Sequence, residues 1–239
     1  MLNIPYIATG HYAQVDKINE QYFLKKGVDN KKDQSYVLWG IPRKTLARTF
    51  FPLGKLTKQD VRKIAQDNKL KNAKDPESME ICFVADNNYK RFLHDYNPKD
   101  VKKIGTGIII DEDNNPIGKH EGYINYTIGQ RKGLGLTSPE PLYVKKIDSK
   151  KNQITVAKKQ SLFKSQCKAT NINLLVEKND FPSNVYVQIR YNSEPAKANI
   201  IFKNKIIEVT FCEPQLAITP GQSIVFYNDN ILLGGGIIV

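Results

Sequence analysis

The side chains with chemistry to offer are few: three cysteines (Cys82, Cys167, Cys212) and three histidines (His11, His94, His120) in 239 residues. Cys82 lies in Asp75-Pro76-Glu77-Ser78-Met79-Glu80-Ile81-Cys82-Phe83-Val84, between a polar loop and an apolar run. Flanked by Ile81 and Phe83, its thiol reads as a small hydrophobe of a core. Set beside positive charge or a helix N-terminus, the same thiol would be a nucleophile or sulfur carrier acting as the thiolate. Glu80 opposes that ionisation, whereas Lys90 and Arg91 favour it. The histidines have no placed serine or cysteine partner, so no triad is visible. The sequence has neither C-x-x-C nor H-x-x-x-H, and scattered Cys and His do not make a zinc site.

Gly129-Gln130-Arg131-Lys132-Gly133-Leu134-Gly135 is glycine-rich and basic, yet its spacing fits neither a dinucleotide fingerprint nor a phosphate-binding P-loop. It reads either as a flexible basic turn whose backbone can approach RNA phosphates or as a solvated hairpin end. The run Leu232-Leu233-Gly234-Gly235-Gly236-Ile237-Ile238-Val239 reads as a tight turn feeding a last strand, with a purely structural role.

These residues must be positioned by elements that the pattern lets one draw. Ile4 to Ala8 is an apolar run ending at Thr9-Gly10-His11, the punctuation of a buried strand that opens onto a ligand crevice. Thr57 and Asp60 form a T-x-x-D start ahead of Val61, Ile64 and Ala65, which predicts a helix with one apolar face. A second helix is predicted over residues 87–96, with Tyr89, Phe92, Leu93 and Tyr96 on one side and Lys90 and Arg91 on the other. After Pro98-Lys99-Asp100 short apolar runs alternate with turn residues. Gly107 to Ile110 and Pro116 to Gly118 read as a hairpin. Further strands are expected at residues 142–147, 153–156, 185–190, 196–202, 206–211 and 223–227, the spacing of a small barrel or sandwich. The basic stretch at residues 157–168 reads as the break between two β regions.

The composition bounds the rest. With 40% hydrophobic and 10% aromatic residues the chain can bury real cores. Lys plus Arg outnumber Asp plus Glu by 36 to 24, a net charge of +12 that attracts polyanions such as nucleic acid, though a surplus made mostly of Lys is also a compositional bias. No stretch approaches the roughly 18 apolar residues of a membrane span, so a soluble cytoplasmic protein with no membrane partner is expected. The odd, dispersed cysteines argue for a reducing compartment and free thiols.

The fold class expected is α+β and multidomain: an incomplete α/β layer at residues 1–100, a small β domain at 101–160 and a C-terminal β-barrel at 161–239.

Seven segments taken in order resemble the tRNA 2-thiouridylases of the MnmA type. They are Ala8-Thr9-Gly10-His11-Tyr12, Lys32-Asp33-Gln34-Ser35-Tyr36, Phe51-Pro52-Leu53-Gly54, Ser78 to Val84, Thr127 to Gly135, Thr219-Pro220-Gly221-Gln222 and Gly234-Gly235-Gly236. The resemblance implies an enzyme that activates the C2 carbonyl oxygen of the wobble uridine with ATP and replaces it with sulfur from a cysteine persulfide. It places Cys82 at the persulfide position and Gly10 at an ATP-contacting backbone position. It places His11, Lys32, Asp33, Gln34, Arg190, Tyr191 and Gln222 at tRNA contacts. The chemistry agrees: a base must leave its stack to be modified, and Asp33 and Gln34 offer an acceptor and a donor to its edge.

The partners implied are the tRNA anticodon arm and a sulfur-relay donor protein, and the cofactor is ATP with Mg²⁺. The family's ATP-pyrophosphatase loop, Ser-Gly-Gly-Val-Asp-Ser, and its first catalytic cysteine would lie upstream of Met1. The first 100 residues are therefore expected to be the remnant of a PP-loop domain, and adenylation is not expected of these 239 residues alone. No tightly bound metal or cofactor is expected either. Two readings follow: a truncated form of the tRNA sulfurtransferase, inactive alone, or a non-catalytic tRNA-binding module or split half that needs a separate PP-loop partner.

Overall fold

Asn19 and Glu20 both adopt positive φ, 47° and 64°, the backbone of a two-residue turn whose twist matches that of the strands it joins. It links β2 (Ala13–Ile18) to β3 (Gln21–Lys26), following the two-residue β1 (Ile7–Ala8). The computed structural model describes residues 4–75, 84, 86 and 88–239. Cys82 and most of the segment around it lie outside these residues. Two compact units are present, residues 1–75 with 165–239 and residues 76–164.

In the first unit β1 pairs, among the described residues, only with β4 (Thr49–Phe50), in parallel, Ile7 opposite Thr49. The expectation of a buried first strand is corrected: Ile4, Tyr6, Ile7 and Phe50 are all more than half exposed. Among the described residues β4 is the single strand neighbour of β1. Short 3₁₀ turns follow at Ser35–Leu38 and Arg43–Arg48. Then α1 (Lys58–Asp67) starts on the predicted capping box, with the Thr57 hydroxyl accepting from the Asp60 amide and the Asp60 carboxylate from the Thr57 amide. Its apolar stripe is present but only partly covered: α1 has no fully buried residue, Val61 and Ala65 are half-buried and Ile64 is 48% exposed.

In the second unit α2 (Tyr89–Tyr96) is capped by the Asn88 side chain. Ahead of the β region expected after Pro98-Lys99-Asp100 the chain forms a further helix, α3 (Pro98–Ile104). Pro98 occupies its first turn, where no amide partner is needed, and the Asn97 side chain accepts from the Asp100 amide. The predicted hairpin is β5 (Gly107–Ile110) with β6 (Pro116–His120). β7 (Tyr143–Asp148) and β8 (Gln153–Ala157) complete a sheet ordered β6-β5-β8-β7, in which β5 and β8 run parallel. Ile109, Leu134, Val144, Ile154 and Val156 form its core.

The chain returns to the first unit in β9 (Phe163–Leu174), inside the stretch read as a break. β10 (Asn184–Gln188), β11 (Ala196–Lys203), β12 (Ile206–Leu216), β13 (Ser223–Asn228) and β14 (Ile231–Ile238) follow. They close in the order β10-β11-β12-β9-β14-β13, with β13 back on β10, as a six-stranded barrel. β3 then pairs onto β14 through Lys25 and Ile231.

β13 explains how the two ends of the chain share a unit. Its alternate residues Ile224 and Phe226 point into the barrel core with Val187, Val209 and Leu233. Val225 and Tyr227 point outward into a second core with Ala13, Leu24, Leu38 and Leu46. A strand covered on both faces reads as a continuous apolar run, and each such fully buried large side chain stabilises by roughly 1.5–3 kcal/mol. The glycine triplet lies within β14 rather than in a turn, which corrects the sequence reading. A Cβ at Gly235 would stand 2.7 Å from Trp39 Cγ and 2.8 Å from the Ile224 carbonyl oxygen, so glycine lets the indole lie against the barrel wall.

Candidate functional site

Beyond β3 the chain loops back through residues 27–34, and Asp33 holds that loop together. One carboxylate oxygen accepts from the Gly27 and Ser35 amides at 2.9 and 3.1 Å, and the other accepts from the Ser35 hydroxyl at 2.8 Å. Ser35 Oγ also lies 3.1 Å from the Tyr227 hydroxyl, and both residues are fully buried. Gln34 pairs with Tyr12 as a strand neighbour would: its amide donates to the Tyr12 carbonyl at 2.9 Å and its Oε1 accepts from the Tyr12 amide at 3.0 Å. The Gln34 side-chain nitrogen makes no hydrogen bond to another described residue, leaving a donor for a ligand. The acceptor expected of Asp33 is largely engaged by the loop itself.

His11 and Gly10 join this group through Tyr12. The His11 Nδ1 lies 2.9 Å from the Thr9 hydroxyl, and its ring meets Phe51 edge-on at 6.2 Å. At Gly10 an added Cβ would make only an ordinary 3.7 Å contact with Leu53. Nothing in the described chain demands glycine at that position.

The barrel contributes two turns. Gln188, 8% exposed, donates from Nε2 to the carbonyls of Arg190 and Tyr191 at 3.1 and 2.9 Å. Arg190 donates to the Ala217 carbonyl at 2.7 Å and the Thr219 hydroxyl at 3.1 Å, which ties the first turn to the second. In the second, Pro220 precedes Gly221 at φ 86°, the geometry of a type II turn, and the Gln222 side chain is exposed. Ser223 then anchors the amino-terminal segment. Its carbonyl accepts from the Tyr36 hydroxyl at 2.8 Å and its hydroxyl from the Trp39 indole at 3.0 Å.

The fold thereby joins segments far apart in sequence. Asp33 and Tyr191 line one cleft of about 470 Å³ together with Lys26, Lys31, Gln188 and Asn192. The Tyr36 and Tyr191 rings lie 6.0 Å apart. Burial pushes the Tyr36 phenol up to about 12, against the opposing charge of Arg190. Burial and then the Asp33 charge raise the Tyr191 phenol, with Lys32 opposing. Both rings are neutral at physiological pH and present uncharged faces.

Ser35, Tyr36, Gln188 and Tyr227 were not singled out as site residues. Ser35 and Tyr36 carry a signal in lying beside Lys32-Asp33-Gln34. Gln188 and Tyr227 carry none, because their roles depend on contacts with distant segments. In the second unit the glycine-rich run is held down: Leu134 is buried, Gly129 N donates to the Val144 carbonyl at 2.7 Å, and Arg131 and Lys132 remain exposed. His120 is built in, with Nδ1 accepting from the Gly122 amide and Nε2 3.2 Å from the Asn152 carbonyl. Among the described residues no group of three or more His, Cys, Asp or Glu converges as a metal site, and no helix is long and apolar enough to cross a membrane.

Three family models match the chain in succession. They are the tRNA methyl transferase HUP domain over residues 1–86, the tRNA methyl transferase PRC-barrel domain over 90–158 and the aminomethyltransferase β-barrel domain over 164–238. The fold is thus a partial HUP domain, a PRC-barrel middle domain and a C-terminal β-barrel. Among curated proteins the chain is similar to the tRNA-specific 2-thiouridylase MnmA of Caldicellulosiruptor saccharolyticus, 42% identical across 99% of this chain and 66% of that protein. It is similar to the MnmA of Halothermothrix orenii, 43% identical across 99% of this chain and 66% of the relative. It is also similar to that of Chlorobium phaeobacteroides, 42% identical across 100% of this chain and 67% of the relative. The chain spans about two thirds of the length of these relatives, 66–67%.

Proposed function

The chain belongs to the MnmA-type family of tRNA-specific 2-thiouridylases, and from that premise we propose that it serves 2-thiolation of the tRNA wobble uridine by holding the anticodon arm. The observation that carries this reading is the convergence of residues 32–36, 188–195 and 217–223 on one part of the first unit. In this role Lys32 meets RNA phosphate, the Gln34 side-chain nitrogen and His11 face the nucleotide to be modified, and Tyr191 and Gln222 touch the arm from the barrel. Arg190 acts chiefly through the turn it holds. The net charge of +12 supports long-range attraction of the polyanion.

Sulfur transfer in this reading runs through Cys82 as a persulfide, loaded by a separate donor protein. The family's use of ATP with Mg²⁺ would engage Gly10, where the open backbone fits close approach of a ligand. A triphosphate also needs a row of backbone amides to cradle it. The 239 residues contain no Ser-Gly-Gly-Val-Asp-Ser loop to supply one, so no step of adenylation is assigned to them. The reading that they bind tRNA and rely on a PP-loop segment elsewhere is supported by the exposed apolar residues of β1, which has one strand neighbour among the described residues.

The test separates binding from chemistry. The purified chain should retain tRNA on a filter with an affinity that falls steeply with salt. Given ATP and a persulfide donor it should form no 2-thiouridine, and it should do so once a PP-loop-containing chain is added. Salt-independent or absent tRNA retention would end the proposal.

A further inference from the structure

Where β11 turns into β12 at Asn204-Lys205, one end of the barrel opens into a recess of about 610 Å³. That lies within the range of small-molecule sites, about 300–1,000 Å³, for which barrel mouths are a frequent place. A bulge in β9 shapes one wall. Asn173 pairs with Gly235 and Thr170 with Ile237, so β9 carries one residue more than β14 over that interval, and Asn171 sits there at φ 51°. Such an insertion bends its strand and re-aims the neighbouring side chains, as bulges at barrel rims do.

The recess is apolar below and cationic above. Ile172 and Phe202 pack against the barrel core, Ile207 is fully buried, and Leu174 and Ile206 are half-buried. Phe181 meets the Phe202 ring edge-on at 5.3 Å and fixes its place. At the rim stand Lys178 and Lys205, both exposed, and neither makes an ion pair with a described residue. Lys178 Nζ lies 5.0 Å from the Phe202 ring centroid, which keeps its charge over the apolar floor. Neighbouring Lys203, by contrast, is matched by Glu208 at 2.7 Å. Among the described residues no carboxylate lines the recess, and Asn171 and Asn204 complete its rim with amide groups.

We propose that this recess binds one small organic anion with an apolar body, an aliphatic or aromatic carboxylate. The body lies against Ile172, Leu174, Phe202 and Ile206 and leaves water, while the carboxylate meets the Lys178 and Lys205 ammonium groups. Neither half is enough alone. An exposed ion pair is worth little in water, and an uncharged apolar molecule leaves both rim cations unmatched. A nucleotide fits poorly, because its base presents an edge of donors and acceptors and the floor offers apolar side chains to it. The site therefore stands apart from the tRNA-binding reading and does not depend on it.

The experiment titrates octanoate into the complete, isotope-labelled 239-residue chain and follows the amide NMR signals. The amides of residues 170–174, 178 and 202–207 should shift and saturate, and the melting temperature should rise, since a ligand of the folded state stabilises it. Acetate keeps the charge without the body, and octanol keeps the body without the charge. Each should bind about tenfold more weakly or worse. Lys178→Ala combined with Lys205→Ala, both on exposed side chains, should weaken octanoate by about tenfold and leave octanol unchanged, a split that a loss of folding would not produce. No saturable shift at these amides, shifts centred elsewhere in the chain, or equal octanoate binding by the double variant would overturn the proposal. A short acidic peptide that shifts the same amides at lower concentration than octanoate would mark a protein-docking surface instead and would overturn it too.

Discussion

The Ser35 hydroxyl lies 3.1 Å from the Tyr227 hydroxyl, across 192 residues of sequence, and neither residue is exposed. Because Ser35 also donates to Asp33 at 2.8 Å, the Asp33 loop is tied to the barrel wall through a buried pair of hydroxyls. Removing only the Tyr227 hydroxyl, in Tyr227→Phe, should cost about 0.5–1.5 kcal/mol. Tyr227→Ala should cost about 3–5 kcal/mol through the cavity it leaves. Urea unfolding followed by the fluorescence of the single tryptophan, Trp39, reads both, since Trp39 packs against the same core. A Phe variant as unstable as the Ala variant would show that the hydroxyl pair does more than one ordinary hydrogen bond.

Arg190 and Gln222 should fail in different ways when replaced. Arg190 supports the Ala217–Thr219 turn from within, so Arg190→Ala should lower thermal stability and tRNA affinity together. Gln222 is exposed, and Gln222→Ala should reduce affinity with the melting temperature unchanged. Being uncharged, it should also leave the salt slope as it is. Lys32→Ala should reduce the slope of log affinity against log salt by about 0.7–0.9, the loss of one phosphate contact. A Gln222 variant that melts early, or a Lys32 variant with the wild-type slope, contradicts this division of roles.

Much of the barrel was legible in its apolar patterning: β11 and β12 follow a period of two, β13 is a continuous apolar run, and all three fall where those patterns put them. The β2–β3 hairpin carried a weaker signal: Asn-Glu lacks the glycine that usually marks such a turn, although both residues accept positive φ. The helix that starts at Pro98 is not drawn by the sequence pattern, because a proline marks a helix start only where a cap such as Asn97 precedes it. The site was legible as single residues and not as an arrangement. Sequence names Asp33 and Tyr191, but that they share a cleft follows from β3 docking on β14, a pairing no local pattern encodes.

Burial holds the His120 imidazole below its usual range, with the Asn152 carbonyl opposing. A depressed folded value means that the unfolded state takes up the proton first. The contribution of neutral His120 is therefore complete above pH 6.5, the unperturbed value, and is lost as pH falls through the lower folded value. Hydrogen exchange across β5 and β6, followed from pH 7.5 to 5, should accelerate beyond the intrinsic pH trend, and His120→Gln should flatten that excess. No excess in the wild-type chain would show that the ring is not confined as the geometry indicates.

Ile7 and Phe50 are 53% and 52% exposed on adjoining strands, with Tyr6 stacked obliquely on Phe50 at 5.4 Å. Bare strand edges flanked by apolar side chains favour self-association. The isolated chain should sediment with a concentration-dependent increase in mass, and Ile7→Lys with Phe50→Lys should abolish it. Monomeric behaviour of the wild-type chain at high concentration would contradict this prediction.

The first compact unit is assembled from two separate stretches, residues 1–75 and 165–239, with residues 76–164 between them in sequence. During synthesis Ala13 and Leu24 emerge long before Val225 and Leu232, the residues against which they pack. A growing chain must therefore carry this half-built surface until the ribosome has finished β14, and a product interrupted before residue 231 would have neither a closed barrel nor a strand for β3 to rest on.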